Sequence, residues 1–212
     1  MTQEMPQRPC LAADLLERGM AHYEEDALDK AIEAFTQVIA CDPQCAEAYL
    51  WRGLALEEQD RLVEALADYD KAIALAPDWA DAYYNRANVR FDLGQLDEAL
   101  EDYLQCLKLE PAHTLAYHNL GLLHVRRGEF RQALAAFDKA ISLDEDYALA
   151  YLNRAETRAA LGDRLGARED RRRAFQLDPS LRQRNERAEP PPRARQENAR
   201  PQEEQGEEEE DD

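Results

Sequence analysis

The stretch Ala82-Tyr83-Tyr84-Asn85-Arg86-Ala87 has near-copies at 48–53 (AYLWRG), 116–121 (AYHNLG) and 150–155 (AYLNRA), each starting 34 residues after the one before. Internal periods of this size decide the fold before any single element does. Blocks of 34 starting at Ala12, Ala46, Ala80, Thr114 and Ala148 align without insertions. Position 4 reads Leu15, Tyr49, Tyr83, Tyr117 and Tyr151. Position 8 is small in all five (Gly19, Gly53, Ala87, Gly121, Ala155), and position 20 is always alanine (Ala31, Ala65, Ala99, Ala133, Ala167). Position 24 is aromatic four times (Phe35, Tyr69, Tyr103, Phe137) and then Arg171. Position 32 is Pro43, Pro77, Pro111, Glu145 and Pro179.

Physical chemistry turns this pattern into helix pairs. Apolar residues recur at helical spacing, as in Leu96, Ala99, Leu100, Tyr103 and Leu107. Asp60, Gly94, Gly128 and Gly162 break a first helix, A, from a second, B. The proline at position 32 ends helix B, because the residue before proline disfavours the α region. Small residues at 8 and 20 let the two backbones approach, and the aromatic at 24 fills the space beside them. One such pair cannot bury its apolar face alone, so neighbouring pairs must stack.

On these residues the chain resembles the tetratricopeptide repeat (TPR) family over residues 12–181. The resemblance implies an all-α, right-handed α-solenoid of five antiparallel helix pairs, a TPR superhelix. The repeats are expected at 12–45, 46–79, 80–113, 114–147 and 148–181, after a flexible N-terminus at 1–11. Beyond them, 182–212 reads as a disordered tail. It is first rich in arginine and proline and then closes on EEQGEEEEDD, eight acids in ten residues.

The two residues that end the repeated stretch have different readings. Position 7 is Arg18, Arg52, Arg86, Leu120 and Arg154, and position 23 is Ala34, Asp68, Asp102, Ala136 and Asp170. Every Asp at 23 has an Arg at 7, and the one Leu faces an Ala. Ion pairs Arg52–Asp68, Arg86–Asp102 and Arg154–Asp170 are therefore expected within repeats, since a partly buried guanidinium needs a carboxylate. Position 6 carries Asn85, Asn119 and Asn153 after Glu17 and Trp51. The resemblance implies that helix A lines a concave groove and that positions 2, 5, 6, 9, 12 and 13 face it. Asparagines there, with Asn88 at position 9, have a donor and an acceptor for the main chain of a bound peptide.

The candidate groove set is Trp51, Tyr84, Asn85, Asn88, Phe91, His118, Asn119, Leu122 and Asn153, with Trp51 and Tyr84 as anchors. Its charges are mostly acidic, Glu57, Glu58 and Asp92 among them, against Arg126. Chaperone-binding relatives resemble one another in a carboxylate clamp of lysine, asparagine and arginine at positions 5, 9, 6, 2 and 6 of three successive repeats. The corresponding residues from repeat 3 onward are Tyr84, Asn88, Asn119, Leu149 and Asn153. Both asparagines of the clamp are present and every basic residue is missing, so an acidic chaperone tail finds no countercharge. A neutral or basic, partly apolar protein or peptide is the expected partner.

The bulk composition narrows the field further. The 212 residues carry 45 acidic against 26 basic side chains, a net charge of −19, which disfavours nucleic acid. Glycine is scarce and alanine and leucine abundant, as in helical proteins. No apolar run is long enough to span a bilayer, and the N-terminus lacks a signal-peptide pattern. The four cysteines (Cys10, Cys41, Cys45, Cys106) form no CxxC and no secreted framework, so a cytoplasmic location is expected. There are two serines, no GxSxG, P-loop or GxGxxG, and no histidine–cysteine spacing for zinc. The reading is a non-catalytic interaction scaffold or adaptor without cofactor or metal, monomeric or weakly self-associating. The alternatives are an acidic-tailed chaperone-like protein that captures basic partners, or a chaperone cofactor of a non-clamp type.

Overall fold

The computed structural model describes residues 8–182, with side chains from residue 12 onward. The acidic tail, nearly all of the arginine- and proline-rich segment and the first seven residues lie outside the described residues. Ten long helices follow one another among the described residues: α1 (Arg8–Glu24), α2 (Leu28–Cys41), α3 (Ala46–Glu58), α4 (Leu62–Leu75), α5 (Ala80–Asp92), α6 (Leu96–Leu109), α7 (Thr114–Arg126), α8 (Phe130–Leu143), α9 (Ala148–Ala160) and α10 (Arg164–Leu177). There is no strand among the described residues. α1 begins one turn ahead of Ala12. The later odd-numbered helices begin at Ala46, Ala80, Thr114 and Ala148.

Each A helix stops the same way. The residue at position 15 takes a positive φ in all five repeats: Asp26 57°, Asp60 59°, Gly94 77°, Gly128 74° and Gly162 86°. Glycine adopts this left-handed conformation without a Cβ penalty, and aspartate tolerates it through its short polar side chain. The following N–H then reaches back five residues to close the helix end. Gln95 donates to Arg90 O at 2.8 Å, Glu129 to His124 O at 2.8 Å and Asp163 to Arg158 O at 2.9 Å.

Helix B ends in an extended residue, Asp42 (φ −136°) before Pro43 and Asp144 (φ −139°) before Glu145. The two backbones match although one lacks proline. The sequence suggests a looser joint at Glu145. The structure holds it instead with Arg173, whose guanidinium donates to Glu145 O (3.4 Å) and Asp146 (3.1 Å).

The core is the spine of small-against-aromatic contacts. Phe35, Tyr69, Tyr103 and Phe137 are buried, as are Ala31, Ala65, Ala99 and Ala133. A Cβ added at Gly19, Gly53 or Gly121 would fall 2.5–2.6 Å from the ring of Phe35, Tyr69 or Phe137. Glycine at position 8 leaves room for the ring against helix A in these three repeats. In repeat 5 Arg171 occupies the aromatic position, α10 is the least apolar helix, and among the described residues no further helix pair stacks on it.

Every helix packs on its chain neighbours, and each A helix also touches the next A helix. Successive B helices make no comparable contact. The A helices are therefore closer together than the B helices, and the stack curves with A inside. This is the expected α-solenoid of five helix pairs, with α1, α3, α5, α7 and α9 on the concave face.

Candidate partner-binding groove

The arginines of position 7 belong to the framework. Arg52 donates from Nε and Nη2 to both oxygens of Asp68 at 2.7 Å. Arg86 grips Asp102 the same way at 2.9 and 2.7 Å, and Arg154 grips Asp170 at 2.8 and 2.6 Å. The three aspartates are at most 5% exposed. The tyrosine three residues earlier lies under each guanidinium, with centroids 5.7 Å (Tyr49), 5.6 Å (Tyr83) and 5.3 Å (Tyr151) away.

Two further layers were not read from the sequence. The remaining nitrogen of the fork crosses to the preceding repeat. Arg86 Nη1 reaches Asp70 and Arg154 Nη1 reaches Asp138, both at 2.6 Å, and Arg52 Nη1 donates to Thr36 at 3.1 Å. A second arginine at position 11 also holds the buried aspartate: Arg90 on Asp102 at 2.7 Å and Arg158 on Asp170 at 2.9 Å. Comparing position 25 of one repeat with position 7 of the next would have revealed the first layer.

The asparagines are not free amides waiting for a ligand. Asn119 donates from Nδ2 to Asn88 Oδ1 (2.9 Å) and to the Tyr84 hydroxyl (3.2 Å). Tyr103 reaches through from the B side and donates its hydroxyl to Asn88 Oδ1 at 2.7 Å. His118 faces Asn119 Oδ1 through Nδ1 (3.2 Å) and Asn153 Nδ2 through Nε2 (2.8 Å). One tautomer satisfies both contacts: Nδ1–H donates to Asn119 and Nε2 accepts from Asn153. Burial pushes His118 below its ordinary pKa, against the pull of Asn119, and favours this neutral ring.

A chain of polar contacts thus runs across three repeats, from Tyr103 through Asn88, Asn119 and His118 to Asn153. His118, expected in the groove wall, is 6% exposed and lies behind it, its ring 4.9 Å from Tyr147 and 5.8 Å from Phe137. Asn85 makes no side-chain hydrogen bond among the described residues, and Asn153 Oδ1 is unengaged there too.

The remaining expected residues lie on the inner face with different surroundings. Trp51 is half-buried and meets the edge of Tyr23, centroids 5.5 Å apart. Tyr84 is half-buried too, its ring 4.6 Å from His113. Phe91 carries the Arg126 guanidinium over its ring at 5.0 Å, and the same guanidinium donates to Phe91 O at 2.8 Å. Two cavities adjoin on this face. One of about 330 Å³ is lined by Asn88, Phe91, Asn119 and Leu122, with Glu57 and Asp92. The other, about 570 Å³, is lined by Tyr23, Leu54, Glu57, Glu58, Leu62 and Asp92.

Glu57 and Asp92 belong to both cavities. Burial lifts Glu57 above the usual carboxylate range and Asp92 and Glu58 add to the rise, against the hydrogen bond donated by the Tyr69 hydroxyl at 2.6 Å. No helix among the described residues is long and apolar enough to cross a membrane.

The models that match the chain describe tetratricopeptide repeats, over 16–80 and over 80–113 and 114–147. No curated protein matches the chain significantly. Among solved structures, MamA is 24% identical with a TM-score of 0.71, the alignment covering 78% of this chain and 96% of that one. YrrB, titled a TPR protein with an unusual peptide-binding site, is 22% identical with a TM-score of 0.67, covering 82% and 92%. PilF of Pseudomonas aeruginosa is 18% identical with a TM-score of 0.74, covering 84% and 87%. At these identities the structures speak to the fold. The repeat models span more than half of the residues, and the chain belongs to the tetratricopeptide-repeat family.

Proposed function

We propose that this repeat scaffold is non-catalytic and seats a partner's peptide or helix along the concave face of α3, α5, α7 and α9. The observation that supports the reading is the pair of adjoining cavities between successive A helices. Concave surfaces with a few convergent polar groups are where ligands bind. Here the half-buried aromatics Trp51 and Phe91 share the concave face with polar groups that hold no other side chain among the described residues, Asn85 and Asn153 Oδ1. The other hydrogen-bonding groups of the face already hold one another, so the groove is shaped before a partner arrives, which lowers the ordering cost of binding. YrrB, described as having an unusual peptide-binding site, is in keeping with such a use of the fold.

The partner is protein, neutral or basic and partly apolar. A clamp for acidic tails is missing at Tyr84 and Leu149, where it needs basic side chains. Two of the nucleophiles are engaged or muted: Ser142 Oγ donates to Lys139 O at 2.7 Å, and burial first of all pushes the Cys106 thiol up to about 12.

The test is a pull-down with the full chain and with Trp51→Ala and Phe91→Ala variants, each checked for helicity. A partner retained by the parent and lost by both variants supports the groove. Partners retained equally by all three overturn it. Such a result transfers the function to the outer face or to the acidic tail, the chaperone-like alternative.

A further inference from the structure

Three helix-borne carboxylates of the concave face gather at one cavity without an arginine partner. Asp68, Asp102 and Asp170 are gripped by arginine, and Asp70 and Asp138 are held from the next repeat. Glu57, Glu58 and Asp92 make no ion pair among the described residues, although they come from two helices and gather, with Asp60 of the turn after α3, around one cavity of about 570 Å³. The two glutamates are nonetheless fixed in orientation. The Tyr69 hydroxyl, arriving through the helix pair, holds Glu57, and the Tyr23 hydroxyl holds Glu58.

They do not converge as a metal site does. The carboxylates and imidazole of Asp81, Glu110 and His113 place ligand atoms within 4.8 Å of one another, and no such grouping includes Glu57, Glu58 or Asp92 among the described residues. Spread acceptors around an apolar slot suit a longer cation. The wall between them, Tyr23, Leu54 and Leu62, matches an aliphatic stem whose charged head lies beyond it. The same face already seats a guanidinium: Arg126 lies over Phe91 and donates to its carbonyl. Glu57 is carried here at a cost, since burial disfavours its charged form. The net charge of −19 draws basic partners toward the molecule.

We infer that the groove's partner presents one lysine or arginine side chain, flanked by apolar residues, to Glu57, Glu58 and Asp92. The inference rests on the groove reading above and names the chemistry that the groove selects.

The experiment is selection of a phage-displayed random 12-residue peptide library on the full chain. The consensus peptide is then synthesised with a fluorophore and its affinity measured by polarisation. The expected consensus has a lysine or arginine between apolar residues. Glu57→Gln and Asp92→Asn each weaken its binding about 10- to 100-fold, the range for a hydrogen bond to a charged group. The amide oxygen introduced by Glu57→Gln still accepts from the Tyr69 hydroxyl, so the fold is kept. Glu98→Gln and Glu101→Gln, exposed on α6, remove the same charge elsewhere and leave binding within about twofold.

Peptides that need Trp51 but lack a basic residue, or that ignore Glu57→Gln and Asp92→Asn, overturn the inference and leave the groove standing. Equal loss with Glu98→Gln and Glu101→Gln reduces the effect to diffuse charge and also overturns it. Peptides indifferent to Trp51→Ala, or no selection at all, remove the groove reading itself. Tighter binding after Arg184, Arg187, Arg193, Arg195 and Arg200 are changed to glutamine would make the chain's own segment the occupant, against a separate partner.

Discussion

Gly121 shows how much a single hydrogen atom can matter. A Cβ at this position would lie 2.5 Å from the Phe137 ring, and Phe137 is fully buried with no room to retreat. Gly121→Val is expected to destabilise the protein by about 1–3 kcal/mol, the usual range for overpacking a core. Urea denaturation would register it as a lower midpoint at unchanged slope.

His118 gives a residue-scale prediction with a sign. Its folded pKa is depressed by burial, while the unfolded ring keeps its ordinary value near about 6.5. Below that value the unfolded chain binds more protons than the folded one, so stability falls as pH falls. The unfolding midpoint is expected to drop between about pH 7.5 and 5.5, and the drop is expected to be smaller in His118→Gln. The sequence placed His118 beside Asn119 on one helix. It could not show that the ring lies behind the groove, because that depends on the rotation between repeats 4 and 5. The same rotation brings Asn153 within 2.8 Å of His118 and turns the asparagines toward one another.

At the scale of the element, the ion pairs across each helix pair were legible because both partners sit in one repeat, 16 residues apart. The links to Asp70 and Asp138 were not, because they cross a repeat boundary and become visible only when position 25 is compared with position 7 of the following block. Repeat 4 offers a natural control. It carries Leu120 and Ala136 where its neighbours carry arginine and aspartate, and both are buried. An apolar pair therefore fits the same site. Arg52→Leu alone leaves Asp68 buried and without its countercharge, at a cost of about 3 kcal/mol. Adding Asp68→Ala is expected to restore most of that loss, as replacing both members of a buried pair commonly does. A double-mutant cycle followed by urea unfolding measures the recovery, and a double variant no better than the single one would refute it.

For the whole molecule, stability is shared unevenly along the stack. In repeat arrays each unit depends on its neighbours, and a terminal unit has only one. α10 packs on α9 alone among the ten long helices, and its aromatic position holds Arg171, whose Nε is buried without a hydrogen-bond partner among the described residues. Amides of 164–177 are expected to exchange hydrogen well before those of 62–75 and 96–109, which enclose Tyr69 and Tyr103. Exchange followed by mass spectrometry would test the order. The overall architecture was readable from the sequence because a strict 34-residue period fixes the number and lengths of the helices. The detailed surface of the groove was less readable, since Glu57 and Asp92 meet only after the repeats have stacked.

The guanidinium that bridges adjoining repeats has a further consequence for how five near-copies find their order. At the joint between repeats 2 and 3, Arg86 meets Asp70, and between repeats 4 and 5, Arg154 meets Asp138. Between repeats 1 and 2 the contact is Arg52 with Thr36, and between repeats 3 and 4 the equivalent positions are Leu104 and Leu120. A slip of one repeat would set Arg154 against Leu104 or bring Leu120 to Asp70, stranding a charge or an apolar side chain at the seam. Misassembly between similar units is a characteristic hazard of repeat chains, and mismatched seams penalise it. The joints therefore act as an address written into the outer layer, which tells each repeat which neighbour is its own.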